Sequence, residues 1–148
     1  MKGNLLIVDD EPFILIIIKN RIEGIAEKIY LANDGIEALE VLKKETIHCV
    51  ICDINMPRMN GVEVIKNIRA AKNEVPFIFY TAHGNHDLML EAARYGAFEF
   101  LSKPNMDDLE SVIDRGLKEG IDRSLGVTVS EDVYMSEYLK LLDRTYTK

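Results

Sequence analysis

Three aspartates, one threonine and one lysine are the residues of this sequence whose types and spacing could do chemistry: Asp9, Asp10, Asp53, Thr81 and Lys103. Each of them ends or follows a short apolar run. Carboxylates held close together raise one another's pKa unless a cation offsets them. The set therefore predicts a hard divalent ion such as Mg²⁺, which prefers oxygen ligands, with Lys103 as a fixed charge suited to phosphate.

The stretch "CVICDINMPRMNG" ends an apolar run in Asp53 and then breaks at once into Met56-Pro57 and Asn60-Gly61. An acid there is costly to bury without a partner. A carboxylate beside a metal ion can attack phosphorus and form an aspartyl phosphate. Thr81 could donate its hydroxyl to the phosphoryl oxygens. The residues thus favour Mg²⁺-assisted phosphoryl transfer onto Asp53.

Each of these residues also has a local explanation. Asp9 or Asp10 could cap the helix that follows, and Asp53 could form a turn with its own side chain. Thr81 could be an ordinary strand-end residue and Lys103 a solvated charge. A cap needs only one acid, however, and adjacent acids at a sheet edge repel each other. The joint occurrence of all five favours a shared site.

The elements that would position these residues alternate along the chain. Strand-like runs are predicted at 4–8, 28–32, 49–53, 76–81 and 98–102, and helical periodicity at 12–25, 35–45, 61–72, 86–95 and 106–121. Asn105 is the predicted N-cap of the last helix, and Gly96 ends the one before it. This alternation predicts an open parallel sheet with helices on both faces. The carboxyl ends of its strands meet at one edge, where ligands bind.

Composition narrows the class of protein. The length of 148 residues suits one domain. The formal charge of −7 argues against direct contact with nucleic acid or with an anionic membrane. The most apolar run, at 12–18, is too short to span a bilayer, and the N-terminus lacks a signal-peptide pattern. A cytoplasmic protein is expected.

Cys49 and Cys52 form a C-x-x-C pair that could indicate redox or zinc chemistry. In a strand, residues three apart point to opposite faces, so the two thiols should not meet. His48 is adjacent, but its spacing does not complete a zinc site. Buried structural thiols are the prediction.

Four motifs, "LLIVDDEP", "CDINMPRMNG", "YTA" and "FLSKP", occur in order and are separated by strand–helix units. With them the chain, from about Asn4 to Ile121, resembles a response regulator receiver domain of two-component signalling. The resemblance implies a flavodoxin-like, doubly wound, five-stranded parallel sheet in the order 2-1-3-4-5. It also implies a partner histidine kinase or histidine phosphotransfer protein as the source of the phosphoryl group.

The resemblance assigns roles to the candidate residues. Asp53 would be the phosphoacceptor and Asp10 a direct Mg²⁺ ligand, with Asp9 acting through metal-bound water or hydrogen bonds. The backbone carbonyl of Asn55 would complete the protein's metal contacts. Thr81 and Lys103 would hold the phosphoryl group, and the peptide bond before Pro104 would be cis.

The resemblance also implies a switch. Phe100 lies at the position of a rotating aromatic residue, and the alternative is a plain core aromatic. Phosphorylation would draw Thr81 inward, make room for Phe100 and change the surface formed by residues 86–121, where a downstream effector would bind. His83 and Asn55 would flank the attacking water and tune the lifetime of the phosphoryl group, or would be solvated loop residues.

The enzyme alternative is a haloacid dehalogenase-type phosphatase, which also uses an aspartate nucleophile after an apolar strand. That family needs a second aspartate two residues later, where this sequence has Asn55, and a cap insertion for which there is no room. The expected protein is instead a signalling switch with slow self-dephosphorylation and is not a conventional turnover enzyme.

Residues 122–148 extend beyond the expected receiver domain of residues 1–121. Ser130 is a candidate N-cap, and Glu131 and Asp132 suit a first helical turn. A stripe at helical spacing then follows, with Leu142 beside it: Tyr134, Tyr138, Leu141 and Thr145. A short amphipathic helix is expected, which could fold onto its own domain, pair with a second copy in a homodimer, or begin a linker.

Overall fold

The computed structural model describes residues 2–82 and 86–126, in which five strands alternate with five helices. The strands are β1 (Asn4–Val8), β2 (Lys28–Ala32), β3 (Cys49–Cys52), β4 (Phe77–Thr81) and β5 (Glu99–Ser102). The helices are α1 (Pro12–Arg21), α2 (Gly35–Lys44), α3 (Gly61–Ala70), α4 (His86–Arg94) and α5 (Leu109–Ser124). His83 lies outside the described residues. The tail helix expected beyond residue 129 also lies outside them.

The strands form one parallel sheet in the order β2-β1-β3-β4-β5. β1 pairs with both β2 and β3, so the strand order reverses at β1. In open α/β sheets, a crevice for ligands forms at this point, beyond the carboxyl ends of the strands. The predicted fold class and strand order are confirmed.

Two apolar layers cover the sheet, one on each face. Because successive strand residues point to opposite faces, Leu6 and Val8 of β1 join one layer and Leu5 and Ile7 the other. Helices α2, α3 and α4 cover the first face, and α1 and α5 cover the second. In the described part of the chain, no helix has the length and apolar character needed to cross a bilayer.

The two cysteines follow the same alternation. Cys52 lies in the layer with α2, α3 and α4, and Cys49 lies in the layer with α1 and α5. Both thiols are free and buried, and burial raises the pKa of each. The prediction of structural thiols is confirmed, since the two groups face away from each other across the sheet.

Three helix boundaries differ from the prediction by three residues or more. α1 ends at Arg21 and not at residue 25, because the chain turns there and makes an isolated bridge between Glu23 and Ala26. α5 begins at Leu109 and not at residue 106, and it ends at Ser124 and not at residue 121. The Asn105 side chain does not cap α5, because its Oδ1 accepts a hydrogen bond from the Asp107 backbone and closes a local turn. Gly96 follows α4 in the left-handed region, as expected of a helix end.

Two glycines let α5 approach β3 closely. A Cβ atom at Gly116 would lie 2.6 Å from Cys49 Sγ, and one at Gly120 would lie 1.5 Å from the carbonyl oxygen of His48. Both glycines are buried, and the second faces backbone, which cannot move aside as a flexible side chain can. The position of α5 therefore depends on the absence of a side chain at residue 120.

The contact at Gly120 reverses the usual effect of a helical glycine substitution. Replacing glycine by alanine inside a helix normally stabilises a protein by roughly 0.5–1 kcal/mol. We expect Gly120→Ala to lower the free energy of unfolding by about 2–3 kcal/mol, because α5 must move off the sheet. The control Lys118→Ala, at an exposed position of α5, should change it by less than about 0.5 kcal/mol. Urea unfolding measures both, and a Gly120→Ala protein as stable as the wild type would contradict this packing.

Candidate functional site

Backbone hydrogen bonds extend the sheet by one residue at three strand ends and so fix the candidate residues. Asp9 N donates to Ala32 O, and Asp53 N donates to Val8 O. Lys103 N donates to the carbonyl oxygen of Thr81. The side chains that follow β1, β3 and β5 therefore start from an ordered edge and not from a free loop.

Asp9, Asp10 and Asp53 converge at this edge. Each offers one carboxylate oxygen, and these oxygens all lie within 4.8 Å of one another. Asp9 and Asp53 are buried, whereas Asp10 is exposed. The expected convergence of the three acids is thus observed, and neither Asp9 nor Asp10 is the N-cap residue of α1, which is Glu11.

Lys103 lies between the two buried carboxylates. Its Nζ is 2.7 Å from Asp9 Oδ2 and 2.9 Å from Asp53 Oδ2. Burial by itself would lower the pKa of Lys103, but the hydrogen bonds to Asp9 and Asp53 and the negative charges of these two groups together outweigh it, and the pKa is raised. At Asp9, burial raises the pKa of the carboxyl, although the hydrogen bond from Lys103 acts in the opposite direction.

The donor set fits a hard divalent cation. Three carboxylates share one ammonium group, so the described site keeps an excess of negative charge in a partly buried place. Carboxylate oxygens are the ligands that Mg²⁺ and Ca²⁺ prefer, and one exposed acid leaves room for water. The residues present can therefore hold a metal ion at this edge.

Thr81 brings a free hydroxyl to the end of β4. The side chain is buried, and within residues 2–82 and 86–126 its Oγ1 has no hydrogen-bond partner. A buried hydroxyl without a partner is costly, so such groups call for an explanation. A ligand with acceptor oxygens would supply the missing partner.

The loop after β3 explains why an apolar strand ends in Asp53 and then breaks. Gly61 N donates to Ile54 O, and Asn55 N lies 3.4 Å from Asp53 Oδ1. A Cβ atom at Gly61 would lie 2.3 Å from the carbonyl oxygen of Asp53, so only glycine fits where α3 begins. Asn60 caps α3 by accepting from Glu63 N. The Asn60-Gly61 pair folds the loop back under Asp53.

Phe100 of β5 and Pro104 lie on either side of Lys103 along the chain. The Phe100 ring is partly buried and stacks on Phe79, with ring centroids 5.6 Å apart and planes inclined by 19°. The peptide bond between Lys103 and Pro104 is cis, as the resemblance implied. Thr81 is paired in register with Ser102 and Phe100 with Phe79, so the two proposed switch residues lie on neighbouring strands, two residues apart in register.

Two features of the site's surroundings escaped the sequence analysis. Asp34 follows β2 at the same edge, but it caps α2 and forms an ion pair with Arg58 of the β3–α3 loop. Arg58 has φ 67°, which a sequence does not reveal for a non-glycine residue. The Tyr80 ring lies under Lys103, with Nζ 5.8 Å from the ring centroid. Strand alternation in "PFIFYT" was the one available signal for Tyr80.

The sheet and its acid–lysine edge define a receiver domain of the response regulator class. The family model described as "Response regulator receiver domain" matches residues 5–114, and the chain belongs to that family. Proteins of this family are signalling proteins that interact with histidine kinases and downstream effectors. No comparison supports the haloacid dehalogenase alternative.

Two curated relatives and one solved structure illustrate the similarity. The transcriptional regulatory protein ZraR of Klebsiella oxytoca is 32% identical over 77% of this chain, and FixJ of Bradyrhizobium diazoefficiens is 27% identical over 89%. The matched segments cover only 26% of ZraR and 65% of FixJ. The crystal structure of chemotaxis protein CheY4 of Vibrio cholerae has a TM-score of 0.71 and 28% identity, covering 79% of this chain and all of that one.

The Thr81 hydroxyl, which has no hydrogen-bond partner among the described residues, leads to a prediction about stability. Thr81→Val keeps the shape of the side chain but removes the buried polar group, so we expect it to raise the free energy of unfolding by about 1 kcal/mol in metal-free protein. The control Thr46→Val, at an exposed loop position, should have less than about half that effect. Urea unfolding in the presence of a chelator measures both variants. A loss of more than about 1 kcal/mol in Thr81→Val would mean that the hydroxyl already has a partner.

Proposed function

We propose that this chain is a phosphorylation-activated signalling switch that accepts a phosphoryl group on Asp53 from a histidine kinase or histidine phosphotransfer protein. The observation that carries the proposal is the position of Asp53, whose carboxylate accepts from Lys103 Nζ at 2.9 Å and lies beside two further acids. Such a group is a preformed nucleophile next to a charge that suits an incoming phosphate.

The transfer conserves atoms and charge. A carboxylate oxygen of Asp53 bonds to phosphorus as the phosphorus–nitrogen bond of the donor phosphohistidine breaks, and the imidazole nitrogen keeps the electron pair. Lys103 then pairs with the phosphoryl oxygens, and Thr81 donates its hydroxyl to them. Slow attack of water on phosphorus later returns the Asp53 carboxylate and releases inorganic phosphate.

We propose that the acid cluster holds Mg²⁺. Asp10 and Asp53 would bind it directly, Asp9 through water or hydrogen bonds, and the Asn55 backbone carbonyl would add a further oxygen. When bound, Mg²⁺ would neutralise the charge that the phosphoryl group brings to the site. The exposed Asp10 and the buried Asp9 differ in access to solvent, which supports their separate roles.

The switch in this proposal is the movement of Thr81 and Phe100. Binding of Thr81 Oγ1 to the phosphoryl group draws the side chain toward Asp53 and opens space beside it. The partly buried Phe100 ring, now stacked on Phe79, turns into that space. The surface of residues 86–121 then changes, and a downstream effector or a second copy binds the two states with different affinity.

The remaining assignments rest on the sequence. We propose a receiver domain at 1–121 and an extension at 122–148, although α5 itself continues to Ser124. The charge of −7 supports partners other than nucleic acid or an anionic membrane. Two buried, unlinked cysteines suit a reducing compartment, so we place the protein in the cytoplasm.

Exposure to acetyl phosphate with Mg²⁺, followed by intact-mass measurement, tests the function. We expect the wild type to gain the mass of one phosphoryl group, and Asp53→Ala to gain none because the nucleophile is gone. Asp122→Ala, at an exposed position of α5, is the matched control and should be modified like the wild type.

A chelator should abolish the mass gain of the wild type and of the control. The proposal would be contradicted by an unmodified wild type, or by an Asp53→Ala protein that gains the same mass.

A further inference from the structure

The Tyr80 ring stands in one row with two of the acids of the site. Three residues of the apolar layer formed with α2, α3 and α4 are paired in register across β1, β3 and β4: Val8, Cys52 and Phe79. Because successive residues point to opposite faces, strand alternation directs the next residues, Asp9, Asp53 and Tyr80, toward the side of α1 and α5. Tyr80 is buried in the layer on that side. The row therefore consists of two carboxylates and one aromatic ring.

Lys103 is the diagonal neighbour of Tyr80 on the same face. Tyr80 is paired with Leu101 of β5, and Lys103 comes two residues after Leu101, so alternation directs it to the same side. Its Nζ lies 5.8 Å from the centroid of the Tyr80 ring, a distance at which an aromatic face attracts an ammonium group. The same nitrogen donates to Asp9 and Asp53. Two carboxylates and one ring therefore surround the ammonium group.

The ring, and not the hydroxyl, is the part of Tyr80 that interacts with Lys103. The hydroxyl is buried, and among the described residues it has no hydrogen-bond partner. Burial raises the pKa of Tyr80, so the phenol stays neutral at pH 7. A phenylalanine ring would fill the same place without a buried hydroxyl that needs a partner. A role of Tyr80 at this site must therefore come from its ring.

An aromatic ring attracts the ammonium group without accepting one of its conventional hydrogen bonds. An ammonium group has three N–H donors, and Asp9 and Asp53 accept two hydrogen bonds from Lys103. The third donor therefore remains for an incoming phosphate oxygen. The stem of a lysine is long and flexible, and fixing it before the phosphate arrives lowers the entropy cost of binding.

We propose that Tyr80 is a positioning residue for phosphoryl transfer, because its ring keeps the Lys103 ammonium at the acid pair before and after Asp53 is modified. This inference rests on the proposed function of Asp53. When an oxygen of Asp53 joins phosphorus, Lys103 exchanges contact with that carboxylate for contact with phosphoryl oxygens. The Tyr80 ring is unchanged by the reaction, so it attracts the ammonium group in both states.

The rate of phosphorylation of the full chain by acetyl phosphate with Mg²⁺, followed by intact mass, tests the role of the ring. Tyr80→Leu removes the ring, and we expect the rate constant to fall about 5-fold or more. Tyr80→Phe keeps the ring and should react within about 2-fold of the wild type. The control Ile78→Val removes a similar volume from the same buried face of β4 and should also react like the wild type.

A fluorinated ring separates attraction from packing. Phenylalanine whose ring carries electron-withdrawing fluorine atoms, incorporated at position 80, keeps an aromatic shape but loses the negative ring face that attracts a cation. We expect it to slow the reaction like Tyr80→Leu, although it fills the core. This variant also tests the ring if Tyr80→Leu does not fold, and urea unfolding shows which variants are folded.

The mobility of the Lys103 side chain, measured by NMR relaxation at Cε without a phosphodonor, tests the positioning apart from the reaction. We expect a rigid Lys103 in the wild type, Tyr80→Phe and Ile78→Val. The side chain should be more mobile in Tyr80→Leu and in the fluorinated variant. Equal mobility in all five proteins would overturn the proposal.

The outcomes distinguish this inference from the proposed function. A wild type that gains no phosphoryl group would refute the function of Asp53, and the role of Tyr80 in the transfer with it. A reactive wild type, together with a fluorinated variant that reacts at the same rate, would overturn the role of Tyr80 alone. Equal slowing in Tyr80→Leu and Ile78→Val would overturn it as well, because lost packing would then explain the rate.

Discussion

The contact between the Lys103 ammonium and the carboxylates of Asp9 and Asp53 is the interaction on which the rest of the site depends. It joins the residues that follow β1, β3 and β5, whose ends lie at one edge of the sheet because all five strands are parallel. One cation between two buried acids lowers the cost of burying them. It leaves Asp10 and part of the negative charge unbalanced, which keeps the edge ready for a further cation.

The same edge shows how the backbone prepares a reactive side chain. Asp53 is held by the sheet on its N-terminal side and by the Gly61 contact on its C-terminal side, so its carboxylate points from a rigid support. Thr81 lies at the end of β4, and its hydroxyl has no hydrogen-bond partner in the described part of the chain. Preorganised groups of this kind favour a bound anion more than groups that must first be ordered. In our proposal, the phosphoryl oxygens accept the hydrogen bond from Thr81 that the described residues of the unmodified site do not accept.

Local sequence patterns predicted the strands and the residues at the edge of the sheet. The start of α5 and the pair of Asp34 with Arg58 depend on contacts that those patterns do not show. The alternation of short apolar runs and helical periodicities gave all five strands within one residue at each end. It also brought Asp9, Asp53 and Lys103 together, because parallel strands end at one edge. The predicted start of α5 was wrong, because Asn105 closes a turn and does not cap the helix. The pair of Asp34 with Arg58 joins residues far apart in sequence, and no local pattern indicates such a pair.

Binding of Mg²⁺, measured by titration calorimetry and by thermal unfolding, tests most directly whether Asp9, Asp10 and Asp53 form a metal site. We expect the wild type to bind one Mg²⁺ ion, and saturating Mg²⁺ to raise its unfolding temperature. Asp10→Asn should weaken binding about 10-fold or more, comparable to losing a partner of a metal site. Glu11→Gln removes the neighbouring exposed acid outside the cluster and should bind like the wild type. Equal affinity in Asp10→Asn and the wild type, or no binding by the wild type, would contradict the account.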